Sequence, residues 1–297
     1  MHPLKKILAV TFTFGLLVSK SQNFKQQFHE AAEKSDTAAE RKVLSSWATA
    51  NGKDPELFIA YFNFFEQKAR QEIITLDANN NGAPAFRFTD STGKTAGYIS
   101  SSKKYNTAIL AQGFDYINQG LALYPQRLDM RFGKIYMLGE CEDWSAFAQT
   151  IVEAIDYGNT INNAWLWKDG KPLDDGKEFF LSSLQDYVTT IYNTENDSLL
   201  PYMRQISAEV LKFYPQHVES LSSVALTYII AGEYDKGLEY LLKAEVVNNK
   251  DVIVLNNIAA AYNKKGDKAK AKEYYEKIIK YGTKEEASDA KQRIKKL

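Results

Sequence analysis

Cysteine and histidine are scarce in this chain of 297 residues. Cys141 is the single cysteine, which excludes an intramolecular disulfide and a cysteine-based zinc site. Of the three histidines, only His29 and His217 lie beyond the N-terminal apolar segment, and they are far apart in the sequence. Because a histidine base or a ligand cluster has so few residues to draw on, we predict no catalytic site, no metal site and no cofactor.

An excess of charge of either sign is also missing. Lys and Arg together number 37, and so do Asp and Glu. Nucleic-acid-binding domains typically concentrate positive charge, so we expect no nucleic-acid partner. The composition, 44% apolar and 25% charged, is that of an ordinary globular protein of one or two domains.

Long apolar runs are absent apart from one near the N-terminus. Ile7 to Val18 is mostly apolar, follows two lysines and precedes the small residues Ser19 and Ser21. This order is typical of a secretory signal peptide over residues 1–21, cleaved after Ser21 and too short for a comfortable membrane span. The alternative is an uncleaved N-terminal anchor. Export without disulfides suits a bacterial periplasm or cell surface, and we expect no transmembrane segment in the mature chain.

A repeat with a period of 34 residues is the strongest pattern that the chain does contain. The residues that recur at this spacing are Val218 and Val252, Ala225 and Ala259, Tyr228 and Tyr262, Gly232 and Gly266, Lys236 and Lys270, Glu239 and Glu273, Tyr240 and Tyr274, and Lys243 and Lys277. A fixed period of this length is typical of stacked helix–turn–helix units, which usually present a binding surface to another molecule.

The two copies resemble tetratricopeptide repeats (TPR). The small and large residues that this family places at fixed positions are Leu221, Val224, Ala225, Tyr228, Gly232, Gly237, Leu241 and Ala244 in one copy, and Leu255, Ile258, Ala259, Tyr262, Gly266, Ala271, Tyr275 and Ile278 in the next. Leu221 and Leu255 stand where the family often has Trp. The layout of the chain also resembles exported repeat proteins of Gram-negative Bacteroidetes. The resemblance implies an all-α fold, a helical-repeat superhelix of antiparallel helix pairs.

Outside the clear repeats, the sequence predicts further helices and one β-hairpin. Asp54-Pro55-Glu56 is a helix-start signal, and an apolar stripe extends that helix to about Leu76. Turn residues and alternating apolar positions then predict an inserted hairpin at about 84–101. The resulting divisions are N-terminal helices with the hairpin at 22–102, degenerate helical repeats at 103–215, two clear TPR units at 216–282 and a capping helix at 283–297.

Membership of the TPR family implies a non-catalytic protein–protein interaction module or assembly scaffold. In that family the concave face, lined by the first helix of each pair, binds peptides or protein segments. The residues that the resemblance places on this face, as a partner-binding groove, are Ser222, Leu226, Ile229, Asn256, Asn263 and Lys264. We therefore expect a protein or peptide partner, whose identity the sequence does not give.

Two tryptophans in the loop after Gly158 support a different hypothesis. Trp165 and Trp167 would be contact residues of a glycan-binding surface protein if their indoles are exposed. The alternative is that both side chains fold back and fill a gap between helices. An enzyme would require acids such as Asp174, Asp175 and Glu178 to converge with another acid. A helix start explains these residues more simply.

Overall fold

A computed structural model describes residues 23–79 and 85–297, so the predicted signal peptide and the first residue of the predicted hairpin lie outside the described residues. The helices of this part are α1 (23–33), α2 (Thr37–Asn51), α3 (Pro55–Ala69), α4 (Thr107–Leu123), α5 (Leu128–Glu140), α6 (Trp144–Thr160), α7 (Gly176–Tyr192), α8 (Leu200–Phe213), α9 (Val218–Ile230), α10 (Tyr234–Val247), α11 (Val252–Lys265), α12 (Lys268–Tyr281) and α13 (Lys284–Lys295). The strands are β1 (Arg70–Asp77), β2 (Ala85–Thr89), β3 (Thr95–Tyr105), β4 (Leu166–Trp167) and β5 (Lys171–Pro172).

The chain forms two compact units. The first runs to Met137 and includes Leu166–Lys171, and the second comprises Leu138–Trp165 and Pro172–Leu297. Helices dominate both units, which confirms the predicted all-α class with a small antiparallel insertion.

Helix α3 begins as predicted but ends earlier than expected. The side chain of Asp54 accepts a hydrogen bond from the backbone N–H of Glu56 at 3.0 Å, and Pro55 occupies the first turn. The helix stops at Ala69, and the chain continues as β1 instead of reaching Leu76 as a helix. The reason is non-local: β1 pairs with β3 along its whole length, from Arg70 opposite Tyr105 to Asp77 opposite Tyr98.

The insertion is therefore a three-stranded antiparallel sheet in the order β1-β3-β2, and the predicted hairpin supplies only two of its strands. Register places Leu76, Ile99 and Phe86 side by side on one face. Phe86 is 84% exposed and Leu76 68%. This face carries large apolar side chains that no helix of the described chain covers.

The first unit is held together by a buried aromatic and aliphatic cluster between α1, α2 and α3. Trp47 is fully buried in it, and its indole N–H donates to the Asp54 carboxylate at 3.0 Å. Asp54 therefore both starts α3 and accepts the hydrogen bond of the buried Trp47 indole.

Helix α4 approaches α3 closely because Gly120 has no side chain: a Cβ there would lie 2.9 Å from Cβ of Phe58.

The 34-residue period has a direct structural cause in the second unit. Tyr228 stacks on Tyr240 with ring centroids 6.0 Å apart, and Tyr262 stacks on Tyr274 at 5.8 Å. In each copy these rings link the first helix of the pair to the second. The recurring lysines lie over the rings, with Lys243 5.0 Å from the Tyr240 centroid and the equivalent Lys277 4.0 Å from that of Tyr274.

The turns between paired helices explain the recurring glycines. Gly232 and Gly266 have φ of 78° and 90°, a left-handed conformation that favours glycine. After the second pair, Thr283 and Glu286 form a capping box that starts α13. The pattern of the repeats therefore continues into one further helix packed on α12.

Candidate partner-binding groove

The first helices of successive pairs in the second unit, α7, α9 and α11, enclose a pocket of about 380 Å³. Apolar side chains such as Val188, Leu226 and Ile253 line part of it, and polar residues such as Thr189 and Ser222 line the rest. A mixed lining of this kind suits a side chain of a bound polypeptide, with apolar contact for its body and hydrogen-bonding groups beside it. We call it pocket A.

Two further pockets follow between α11 and α13. Pocket B, of about 230 Å³, shares Ile253 with pocket A and also contains Asn256. Pocket C, of about 380 Å³, shares Asp289 and Arg293 with pocket B and contains Asn263. Neighbouring pockets share lining residues and so lie side by side, and we call the three together the groove.

Most of the sequence-predicted residues lie in this groove. Ser222 and Leu226 line pocket A, Asn256 lines pocket B and Asn263 lines pocket C. Their placement follows from helical periodicity, which brings residues three and four apart to the same face.

Two of the sequence-predicted residues, Ile229 and Lys264, line none of the three pockets. Ile229 packs on α10, and its Cγ1 lies 2.6 Å from where a Cβ at Gly237 would be. The half-buried side chain therefore packs against the interior of its own helix pair and lines none of the three pockets. Lys264 is exposed in the last turn of α11 and lines none of the three pockets.

Several groove residues were not anticipated from the sequence. They come from α7, which contributes Gln185, Thr189 and Tyr192, and from α13, which contributes Asp289 and Arg293. Helix α7 lies in the degenerate part of the array, where no register could be read. Helix α13 was interpreted as a cap alone, although extending the period by one copy would have placed it beside α11.

Charge is distributed unevenly along the groove. Pocket A carries the acids Glu219 and Asp251, and pocket C carries the bases Arg293 and Lys296 beside Asp289. The Asp251 carboxylate already accepts hydrogen bonds from the backbone N–H groups of Ile253 and Val254, at 2.9 and 3.1 Å, and so is only partly available to a ligand. One end of the groove is therefore acidic and the other is predominantly basic.

His217 borders the acidic end. Its Nδ1 accepts a hydrogen bond from the backbone N–H of Ser220 at 3.3 Å, which starts α9, and its Nε2 lies 3.3 Å from Glu219. Burial lowers the pKa of His217, against the opposing effect of Glu219 and Glu178. The neutral ring is therefore the form that caps the helix.

Comparison with known proteins finds a family match for one segment of the second unit. Residues 253–281, which comprise most of α11 and the whole of α12, match the family model of the tetratricopeptide repeat. The chain therefore contains a segment that is similar to a tetratricopeptide repeat. No curated protein matches it by sequence.

Several solved structures align with most of this chain. The TPR protein YrrB, described as having an unusual peptide-binding site, is 14% identical, covers 84% of this chain and 97% of its own, and gives a TM-score of 0.41. PilW, a type IV pilus biogenesis factor, is 10% identical over 87% and 91%, with a TM-score of 0.38. A TPR protein from Parabacteroides merdae is 10% identical over 88% and 80%, with a TM-score of 0.37.

The two loop tryptophans are not a pair of exposed indoles. Trp165 is 1% exposed and packs on Phe180, with ring centroids 5.1 Å apart. Gly158 leaves room for its indole, since a Cβ there would lie 2.8 Å from Cζ2 of Trp165. Trp167 is half-buried against Phe132 at 5.9 Å. Burial of Trp165 is the outcome expected from the alternative in which the indole fills a gap between helices, so Trp165 is not available as a glycan contact.

Chemistry-bearing residues elsewhere in the described chain are dispersed. Within residues 23–79 and 85–297, no three His, Cys, Asp or Glu side chains are grouped so as to hold a metal ion. Burial, with Glu140 and Asp143 nearby, raises the pKa of the Cys141 thiol, which disfavours the nucleophilic thiolate. In the same residues, no helix is both long enough and apolar enough to span a bilayer.

Proposed function

We propose that this protein is a non-catalytic binding module of the TPR family that holds an extended segment of a partner polypeptide in the groove. The observation that carries the proposal is that pockets A, B and C are neighbours, linked by shared lining residues, along α7, α9, α11 and α13. Side chains of an extended segment project at regular intervals, so a row of side-chain-sized pockets suits such a ligand better than a single compact molecule.

The charges of the groove specify the partner further. Glu219 lines pocket A, whereas Arg293 and Lys296 line pocket C. A complementary segment carries a basic residue beside an apolar one at the first pocket and an acidic residue at the other end. Such complementarity fixes the direction in which the segment lies and accelerates its association.

A pair of matched substitutions tests this proposal. Leu226→Lys places a charge inside pocket A, whereas Val246→Lys places the same charge on α10 at a side chain that is 87% exposed and lines no pocket of the groove. Peptides selected from a random library on the wild-type chain would be titrated calorimetrically into both variants. We expect Leu226→Lys to weaken binding at least about tenfold, because a buried unpaired charge opposes an apolar ligand, and Val246→Lys to leave it unchanged.

Two results would refute a peptide-binding groove. One is that the library yields no peptide that binds saturably. The other is that selected peptides bind both lysine variants equally, which would place their site elsewhere on the molecule.

We further propose that the protein is exported and acts as a scaffold in the cell envelope, in the periplasm or at the outer surface. The support is the order of two lysines, an apolar run and the small residues Ser19 and Ser21. N-terminal sequencing of the protein from fractionated cells should give Gln22 as the first residue, in a soluble envelope fraction. A membrane-bound chain that retains residues 1–21 would support the anchor instead.

A further inference from the structure

The sheet formed by β1, β2 and β3 has one apolar face and one polar face. Register places five large side chains on the apolar face: Ile74 and Leu76 of β1, Phe86 and Phe88 of β2, and Ile99 of β3. The opposite face carries mostly hydroxyl and charged side chains, including Thr75, Arg87, Ser100 and Ser102. An antiparallel sheet with this alternation ordinarily packs its apolar face on a second layer of structure.

The second layer is missing from the described chain. The sheet leaves α3 at Ala69 and rejoins the helices at Asn106, whose backbone N–H donates to the Ala69 carbonyl at 2.8 Å. Every residue of β1 is exposed, and Ile74 in its middle is 71% exposed. Within residues 23–79 and 85–297, the apolar face is therefore not covered by any other element.

Gly97 of β3 makes the apolar face flat. The ring of Phe88 lies across β3 at this glycine, since a Cβ there would lie 2.7 Å from Cζ of Phe88. A side chain at position 97 would push the ring away from the strand. An aromatic ring laid on a glycine of the neighbouring strand gives a smooth surface, which suits contact with another sheet.

The size of the apolar face is that of one half of a small interface. The five side chains together expose about 500 Å², taking about 150–200 Å² for a fully exposed large side chain. This area is near the upper limit of the apolar patches that monomers leave uncovered. Two such faces in contact would bury about 1,000 Å², which reaches the lower limit for a specific protein–protein interface.

The charged residues of this face lie at the end of the sheet that joins the helices. Glu72 lies opposite Lys103, and Arg70 comes before them on β1. Because both signs are present, the face has no strong field that would favour an anionic membrane or a highly charged partner. The apolar side chains lie toward the far end. Two sheets can therefore overlap their far ends in opposite directions, which keeps the helices of the two copies apart and leaves the charges at a solvated rim.

We propose that the apolar face of this sheet is a self-association surface, on which a second copy of the chain stacks its own sheet about a two-fold axis. Each copy then supplies the missing second layer of the other, and Leu76 and Phe86 of both copies become buried. Because the buried area only reaches the lower limit, we expect a reversible dimer with a dissociation constant on the order of micromolar. This surface is separate from the groove of the second unit.

Sedimentation equilibrium of the purified full chain, at concentrations on both sides of the micromolar range, tests the proposal. We expect a monomer–dimer equilibrium. Phe86→Ser and Leu76→Ser should each weaken self-association at least about tenfold, because a two-fold interface loses each side chain twice. The matched control is Ile73→Ser, on the opposite face of β1, which should leave the equilibrium unchanged.

Four results would overturn the proposal. A wild-type chain that stays monomeric throughout excludes self-association. A dimer that persists in Phe86→Ser and Leu76→Ser forms through residues outside this face, residues 1–22 included. A dimer that Ile73→Ser weakens equally forms through the edge of β1 instead of the face. Phe86-dependent binding of a monomer to vesicles of phosphatidylcholine and phosphatidylglycerol would identify a membrane as the occupant.

The variants separate lost association from lost folding. Because Phe86 and Leu76 are exposed in the single chain, neither substitution should change the circular dichroism melt in dilute solution, where the chain is monomeric. At higher concentration the wild type should melt at a higher temperature than in dilute solution, since dimerisation stabilises the folded state by mass action. Phe86→Ser should lose that concentration dependence, and its persistence in the variant would also contradict the proposal.

Discussion

Gly237 controls how closely α10 approaches α9, the helix that forms one wall of pocket A. A Cβ at this position would lie 2.6 Å from Cγ1 of Ile229 and 3.1 Å from the carbonyl oxygen of Ala225. Alanine in place of glycine inside a helix ordinarily stabilises by about 1 kcal/mol, but overpacking of a fitted interface costs about 1–3 kcal/mol. We therefore expect Gly237→Ala to lower the free energy of unfolding by about 1 kcal/mol, or the melting temperature by about 2–4 °C.

Gly133 provides the matched control. It also lies inside a helix, but a Cβ there would meet only Cε1 of Phe62, at an ordinary contact distance of 3.8 Å. Gly133→Ala should therefore raise the unfolding free energy by about 0.5–1 kcal/mol. Urea unfolding followed by circular dichroism measures both variants. A Gly237→Ala chain as stable as the wild type would refute the argument, as would strictly additive effects of Gly237→Ala and Ile229→Ala, since the two side chains compete for one space.

Further predictions concern buried, charged and exposed positions. Trp165→Ala should cost about 3–5 kcal/mol of unfolding free energy, as expected for a fully buried aromatic, whereas Phe86→Ser, on the uncovered sheet face, should change it by less than about 0.5 kcal/mol. Arg127→Ala should cost about 3–5 kcal/mol, because Arg127 is buried and bonds both Asp129 at 2.7 Å and Glu56 at 2.6 Å, so its loss removes the cation beside Asp129 and leaves Glu56 with Lys25 alone. Thermal melts compare the three variants with the wild type. The pKa of His217 is lower in the folded protein than in the unfolded chain. Its contribution to the free energy of unfolding is therefore complete above the ordinary histidine pKa and is lost as pH falls through the pKa of the folded state. His217→Asn should flatten that dependence in melts at several pH values, and an unchanged pH profile would contradict this role.

The repeats were predictable because their determinants are local and recur. Each copy has a stacked tyrosine pair and a left-handed glycine at the same positions. In the first copy these are Tyr228, Tyr240 and Gly232. Their chemistry does not depend on which residues elsewhere in the chain are nearby. The same holds for the start of α3, where Asp54 and Pro55 act within one turn.

The end of α3 was not predictable in this way. Ile73 and Leu76 continue the apolar stripe of the helix, but they also fit a strand, because short apolar runs carry both periodicities. The decision comes from pairing with β3, whose partner residues Tyr98 to Ser102 lie more than twenty positions further along the chain. Intrinsic preference is overridden wherever a distant segment satisfies the backbone better.

The groove residues show where a repeat pattern stops being informative. Ile229 and Asn263 occupy equivalent positions 34 residues apart, yet Ile229 packs inward on Gly237, whereas Asn263 is exposed and lines pocket C. The residue equivalent to Gly237 is Ala271, so the copy with the smaller second-helix residue admits the larger first-helix side chain. Family position alone therefore does not decide whether a side chain belongs to the interior or to the groove. The volume of the neighbouring residue on the paired helix also matters. One copy combines Gly237 with the larger Ile229, and the other combines Ala271 with the smaller Asn263.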